Sequence, residues 1–155
     1  MNTPYRGTPQ PTRSSGPRPE LEKIRTIDIR FGETIADTLY ANIAEEKAQF
    51  LADNPGDRNK YTQLRRFYDE LCLWNEKVNS RGTPQEKQVR YAKFAPLIKM
   101  LNAKVVYAEG RKHVDSNFVA LFREVISQIK DHQTLEQGKL FMEAFMGFYK
   151  ATKKG

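Results

Sequence analysis

Three side chains in the second half of the chain have the types and the spacing of a nucleic-acid contact. Lys104, Tyr107 and Arg111 follow one another at intervals of three and four residues, which places them on one face of a helix. Cations beside an aromatic ring suit RNA, because the cations meet phosphates and the ring can stack on a base or a sugar. The alternative is that Tyr107 lies at the edge of a hydrophobic core and that the charges only solubilise the surface.

Further cations extend this candidate RNA-binding site if the helices bring them together. They are Lys60, Arg65, Arg66, Lys99 and Lys112. Acidic residues lie among them, so we expect a single copy of the protein to bind nucleic acid weakly.

Groups that could catalyse a reaction are scarce in the sequence. His113 and His132 are its two histidines, and neither follows or precedes a nucleophile that it could activate. Cys72 lies among predicted core residues, where a small buried hydrophobic side chain is its expected role. The sequence has no Cys/His spacing typical of zinc and no glycine-rich phosphate loop. We therefore expect no catalysis, no metal and no cofactor.

The net charge of the 155-residue chain is +7, and it is spread unevenly. Arg6, Arg13 and Arg18 lie in the first 19 residues, which contain no acid, so residues 20–155 keep +4. Charge alone therefore leaves nucleic-acid binding open. The single cysteine excludes an intramolecular disulfide, and no long apolar run or signal-peptide pattern occurs, so we expect a soluble cytoplasmic protein without a membrane partner.

Residues 1–20 have the composition of a disordered, proline-rich, basic tail. Five prolines and almost no apolar side chain fall there. We predict that the rest, residues 21–155, forms a single helical domain. The tail is either dispensable or an arm that touches RNA or a neighbouring subunit.

Hydrophobic periodicity predicts an all-α fold, a compact bundle of five or six helices. The predicted helices span about 33–53, about 60–80, about 84–111 with a break near Phe94–Ala95 caused by Pro96, about 114–131, and from Thr134 to the end. Capping boxes are predicted at Thr83–Glu86 and Thr134–Gln137, and Gly110 is predicted to be a left-handed helix cap.

Two further features concern packing. The apolar stripe of the second helix is Leu64, Phe67, Leu71, Trp74 and Val78, and we predict that Trp74 is largely buried. The segment Ile27–Phe31 alternates apolar and polar residues, but no second strand accompanies it, so we expect an extended segment packed on the helices.

Three motifs resemble the small subunit of type III-A CRISPR effector complexes, the Csm small subunit. Thr62–Tyr68 is similar to the family's opening helix motif, Leu101–Arg111 to its central segment, and Phe141–Lys150 to its terminus. They occur in the family's order over about residues 60–150. The terminus departs from the family pattern, because Tyr149 stands where the family has a histidine, and tyrosine titrates near about 10 rather than about 6.5.

The resemblance implies a non-catalytic, RNA-binding subunit of an antiviral ribonucleoprotein. In that family, several copies stack head-to-tail as a minor filament beside the backbone filament that holds the guide RNA. They contact the guide RNA–target RNA duplex, and another subunit cleaves the target. The implied partners are this duplex, further copies of the chain, and the backbone and large subunits of the complex.

Two other classes of function stay open at this point. One is a helical protein–protein adaptor without a nucleic-acid role, whose exposed aromatic side chains serve a partner groove. The other is a DNA-binding regulator, which is disfavoured because no segment shows a helix-turn-helix with a basic second helix.

Overall fold

The computed structural model describes residues 22–54 and 56–152. In these ranges the chain forms six α-helices: α1 Ala44–Ala52, α2 Tyr61–Asn79, α3 Pro84–Lys99, α4 Leu101–Gly110, α5 Ser116–Gln128 and α6 His132–Thr152. A π-helical turn, Leu39–Ile43, leads directly into α1. The all-α prediction is confirmed, and no β-strand occurs in the described ranges. The predicted tail, residues 1–20, lies outside them, and the domain boundary after it stays a prediction.

The last helix organises the bundle. α6 packs against α1 and α2, and α3 packs against α2 and touches α6. α5 packs on α6 and α3, and α4 packs on α5. α3 meets the start of α6, where His132 N donates to Gln88 Oε1 at 3.1 Å, whereas α1 borders the last turn of α6 at Phe148 and Thr152.

The predicted apolar stripe of α2 faces this core. Leu64, Phe67, Leu71 and Val78 are buried, and the Phe67 ring lies 5.7 Å from that of Phe118 and 5.2 Å from that of Phe122, measured between ring centroids. Burying each such side chain contributes about 1.5–3 kcal/mol. The stripe thus joins α2 to α5.

Trp74 is partly buried and packs against the core, with its indole Nε1 shielded from solvent. Its ring packs at 5.5 Å from the Phe94 ring of α3, between centroids. Leu71 and Val78, on either side of Trp74 in the stripe, are both fully buried, so the stripe faces the core along its whole length. Because part of the Trp74 ring stays in contact with solvent, its truncation should cost less than truncation of a fully enclosed tryptophan.

The segment before the first helix is held by amide side chains, but it is not extended as expected: Ile27 and Asp28 form a turn, closed by the bond from Ile29 N to Thr26 O at 3.0 Å. The Asn117 amide accepts from Ile24 N at 3.0 Å and donates to Glu22 O at 2.8 Å, while Gln137 makes the same pair of bonds with Gly32 at 2.9 and 2.8 Å. These side chains satisfy backbone groups that a neighbouring strand would otherwise satisfy. The predicted packing on the helices is confirmed, although Ile27 is 63% exposed.

Two predicted helix limits were wrong. The first helical turn begins at Leu39 rather than near residue 33. The helix that contains Pro96 runs on to Lys99, and the break falls at Met100, whose N–H still bonds Pro96 O at 3.1 Å. A proline removes the hydrogen bond of the preceding turn and leaves the donors after it intact, so a break after Pro96 is compatible with its chemistry.

Helix caps were predicted with mixed success. The capping box of Thr83 and Glu86 is present at the start of α3. At the start of α6, however, Asp131 is the capping side chain, and its Oδ1 accepts from Thr134 N at 2.8 Å. The helix therefore begins at His132, and the Gln137 side chain bonds Gly32 instead of capping the helix.

The left-handed residue after α4 is Lys112, with φ 63°, and not Gly110. Gly110 is the last residue of α4. His113 N bonds Ala108 O at 3.0 Å and Lys112 N bonds Glu109 O at 2.9 Å, which is the pattern of a Schellman motif. The predicted cap was two residues too early, because a lysine occupies the position that usually favours glycine.

Asn59 joins three parts of the chain. It is 2% exposed and has φ 65°. Its N–H donates to His113 O at 3.0 Å, and its Oδ1 accepts from Asp115 N at 2.9 Å. Its carbonyl accepts from the hydroxyl of Tyr149 on α6. The start of α2, the loop between α4 and α5, and the end of α6 therefore meet at one buried residue.

Asp115 extends this junction to α1 and α5. Its Oδ1 accepts from Phe118 N at 2.9 Å and caps α5, and its Oδ2 accepts from Asn54 Nδ2 at 2.6 Å. Burial, and after it the Asp115 charge, raises the pKa of the Tyr149 hydroxyl. Tyr149 therefore stays a neutral hydrogen-bond donor, a structural role unlike acid–base chemistry.

Substitution of Asn59 should separate its hydrogen bond from its backbone conformation. Asn59→Gly leaves the buried Asp115 N–H without its acceptor, which costs about 1–3 kcal/mol. Asn59→Ala has the same loss and adds a left-handed alanine, so we expect it to be about 1 kcal/mol less stable still. Urea denaturation of the full chain measures both, and equal stability of the two variants would contradict the structure.

Gly110→Ala should raise the free energy of unfolding by about 1 kcal/mol, because alanine favours a helix interior over glycine. A Cβ at Gly110 meets no atom within 4 Å. If Gly110 were the left-handed cap, the same change would lower stability. Lys112→Ala is the matched control and should leave thermal stability nearly unchanged, since both residues adopt the left-handed conformation at similar cost.

Candidate RNA interface

α2 and α4 run antiparallel and form the surface that carries most of the predicted site. Asn59, before α2, bonds His113, after α4, and further along Lys104 Nζ lies 3.0 Å from Glu70 Oε1. Residue numbers therefore rise along α2 in the direction in which they fall along α4. We call the exposed side of these two helices, with Lys60 and Lys112 at its end, the α2–α4 surface.

Tyr107 is the exposed centre of this surface. It is 65% exposed, so it is not a boundary residue of the core. Arg111 Nη1 donates to the Tyr107 hydroxyl at 3.2 Å, and the guanidinium carbon lies 5.8 Å from the ring centroid. The ring and the cation thus hold each other while both stay open to solvent.

Lys104 links the two helices. Its ion pair with Glu70 is partly exposed, with side-chain exposures of 46% and 33%, so the pair contributes little to stability. Arg66 lies one turn before Glu70, on the same side of α2, and the antiparallel course places that turn opposite Tyr107. Arg66 is exposed.

Arg65, Lys60 and Lys112 complete the surface. Arg65 is exposed and reaches Asp69 only at 3.8 Å. Lys60 is the N-cap residue of α2, and Lys112 is the left-handed residue after α4. The bond between Asn59 and His113 brings these two exposed lysines to the same end of the surface.

Lys99 does not belong to this group. Its ammonium donates to Ile126 O at 2.6 Å and to Ile129 O at 2.7 Å, at the end of α5. Burial, and after it the Lys130 charge, lowers the pKa of Lys99. A cation at a helix C-terminus stabilises the helix, so Lys99 serves the fold.

Lys150 is a cation that sequence reasoning left out of the site. Its ammonium lies 5.0 Å from the ring centroid of Tyr61, the first residue of α2. α6 therefore delivers a further positive charge to the end of the α2–α4 surface where Lys60 lies. The sequence contains part of the signal, because Lys150 belongs to the third motif. Its spatial neighbour Tyr61, however, is far away in sequence.

The described residues show few other functional groups. Among residues 22–54 and 56–152, no cluster of three or more His, Cys, Asp or Glu side chains could hold a metal ion. In the same ranges, no helix is both long and apolar enough to cross a membrane. Cys72 is a free thiol that is only partly buried.

The comparison with known proteins agrees with the three motifs. Neither a curated protein nor a solved structure matches the chain significantly. The family model Csm2 Type III-A matches residues 36–155, which include all six helices and every predicted site residue. The chain therefore belongs to the Csm2 Type III-A family, the small subunit of the type III-A CRISPR complex.

Proposed function

We propose that the α2–α4 surface binds the guide RNA–target RNA duplex of the type III-A complex. The observation that carries the proposal is the exposed ring of Tyr107 held against Arg111, with Lys104 and Arg66 on the adjoining turns. Cations in such a row meet successive phosphates, and an exposed ring packs on a sugar or an unstacked base. The recognition is independent of base sequence, because backbone contacts carry no sequence information.

Binding by one protomer should be weak. Glu70 pairs with Lys104, and Asp69 lies beside Arg65, so phosphates must displace or compete with carboxylates. Several copies on one duplex compensate, because each bound copy raises the effective concentration of the next. Base pairing between guide and target then supplies specificity, and this subunit supplies affinity for the sugar–phosphate backbone of the duplex.

The remaining parts of the proposal concern the role of the subunit in the complex. The subunit is non-catalytic and acts in the cytoplasm. It lies beside the backbone subunits and the large subunit, and another subunit cuts the target. Lys60, Arg65, Arg66, Lys104, Tyr107, Arg111 and Lys112 form the proposed contact, Lys150 joins them, and Lys99 is left out.

Removal of the central cations should weaken binding to every RNA sequence. Lys104→Gln with Arg111→Gln deletes two phosphate contacts without placing a carboxylate beside Glu70. We expect affinity to fall about tenfold or more at low salt, and the slope of log affinity against log salt to flatten by about 0.7–0.9 per lost contact. Gel shifts on a guide–target duplex and on single-stranded RNA over a salt series measure both quantities.

A matched control is Arg123→Gln with Lys130→Gln. Both side chains are exposed and lie on or just after α5, so the control removes the same charge away from the α2–α4 surface. If both double variants lost the same RNA affinity, the loss would be an effect of net charge and not of this surface. A Lys104/Arg111 variant that keeps its helical circular dichroism and binds like wild type would exclude this surface and favour the adaptor role.

A further inference from the structure

An acidic groove lies beside the last turn of α6. It has a volume of about 660 Å³ and opens between α1 and the end of α6. Its rim carries the carboxylates of Glu45, Glu46 and Asp53, and its floor includes the half-buried rings of Phe50 and Phe148. No cation of the described chain lines it.

A basic groove lies near the other end of α6, between α2 and α3, where Asn79 Nδ2 donates to His132 O at 2.9 Å. It has a volume of about 470 Å³ and is rimmed by Lys77, Arg81 and Lys93, with the Phe94 ring in its wall. One acid, Glu76, is among its lining residues. The charges are thus the reverse of those in the first groove, and one aromatic ring contributes to the lining where the first groove has two.

Exposed apolar side chains continue the basic groove. Leu73 is 48% exposed and Leu97 is 41% exposed. They lie one helical turn from Lys77 and Lys93, on the same faces of α2 and α3. An apolar patch with a charged rim is typical of a protein–protein contact rather than of a solvated surface.

We propose that the basic groove of one copy docks on the acidic groove of the next copy. The two grooves complement each other in charge and share an apolar centre, whereas each would repel its own kind. Because they lie near opposite ends of α6, the contact is heterologous and leaves a free groove at each end. It therefore adds copies in one direction instead of closing into a two-fold dimer.

The proposal names the surfaces for the several copies in the proposed function and to that extent rests on it. It does not need RNA, because neither groove includes the α2–α4 cations. Nucleic acid is unsuited to the acidic groove, since phosphates and carboxylates repel each other. A second copy also brings apolar side chains that can pack on the aromatic floor. The proline-rich residues 1–20 contain scarcely any apolar side chain.

Reversal of charge in each groove tests the pairing. One variant is Glu45→Lys with Asp53→Lys, and the other is Lys77→Glu with Lys93→Glu; all four side chains are exposed. In sedimentation velocity at low salt, the wild-type sedimentation coefficient should rise with concentration beyond the value of a dimer. Each variant alone should associate about tenfold or more weakly, because like charges then face each other.

The mixture of the two variants is the decisive sample. A reversed acidic groove fits a reversed basic groove, and the unchanged grooves also fit each other, so an equimolar mixture should recover the wild-type association. Arg123→Glu with Lys130→Glu is the matched control and should associate like wild type. A mixture that stays monomeric, a reversed variant that associates alone, or a wild type that stays monomeric at every concentration would overturn the proposal.

Two further variants decide between occupants of the acidic groove. Arg6→Ser with Arg13→Ser and Arg18→Ser, and Lys153→Ser with Lys154→Ser, neutralise the ends of the chain and should associate like wild type. Loss of association in either would identify a chain end as the occupant and overturn the proposal. The Lys104→Gln/Arg111→Gln protein should still associate, so failure of the RNA proposal is distinguishable from failure of this one.

Discussion

The buried junction at Asn59 is the constraint on which the rest of the structure depends. One residue satisfies the loop between α4 and α5 through two backbone groups and accepts the Tyr149 hydroxyl from α6. An unpaired buried polar group costs about 1–3 kcal/mol, so separation of these partners would destabilise the folded state. The junction sets the start of α2 beside the end of α4, and through it Lys60 lies beside Lys112.

The core and the candidate RNA interface use opposite sides of the same helices. α2 buries Leu64, Phe67 and Leu71, and its other side carries Arg65 and Arg66 into solvent. Packing of the apolar side fixes the position of the helix. The cations on its other side therefore keep their places without strong ion pairs to carboxylates. The bundle thus holds the side chains of the proposed contact on an exposed surface opposite the core.

The helical faces follow from spacing in the sequence and were predicted well, whereas several helix ends and caps, and the side chains with distant partners, were not. The face that carries Lys104, Tyr107 and Arg111 follows from helical spacing alone. Lys99 has the same chemistry in the sequence, but the end of α5 lies beside it, and two carbonyl groups there accept hydrogen bonds from its ammonium. Lys150 was missed for the converse reason, because only the fold brings it to α2.

The central claim is that the α2–α4 surface touches RNA in the assembled complex. Ultraviolet cross-linking of the purified ribonucleoprotein, followed by mass spectrometry of tryptic peptides, tests it at single-residue resolution without altering the protein. The account predicts a nucleotide adduct on Tyr107 in the peptide Val105–Arg111. Adducts on other peptides of this subunit, with residues 105–111 recovered free of nucleotide, would contradict it.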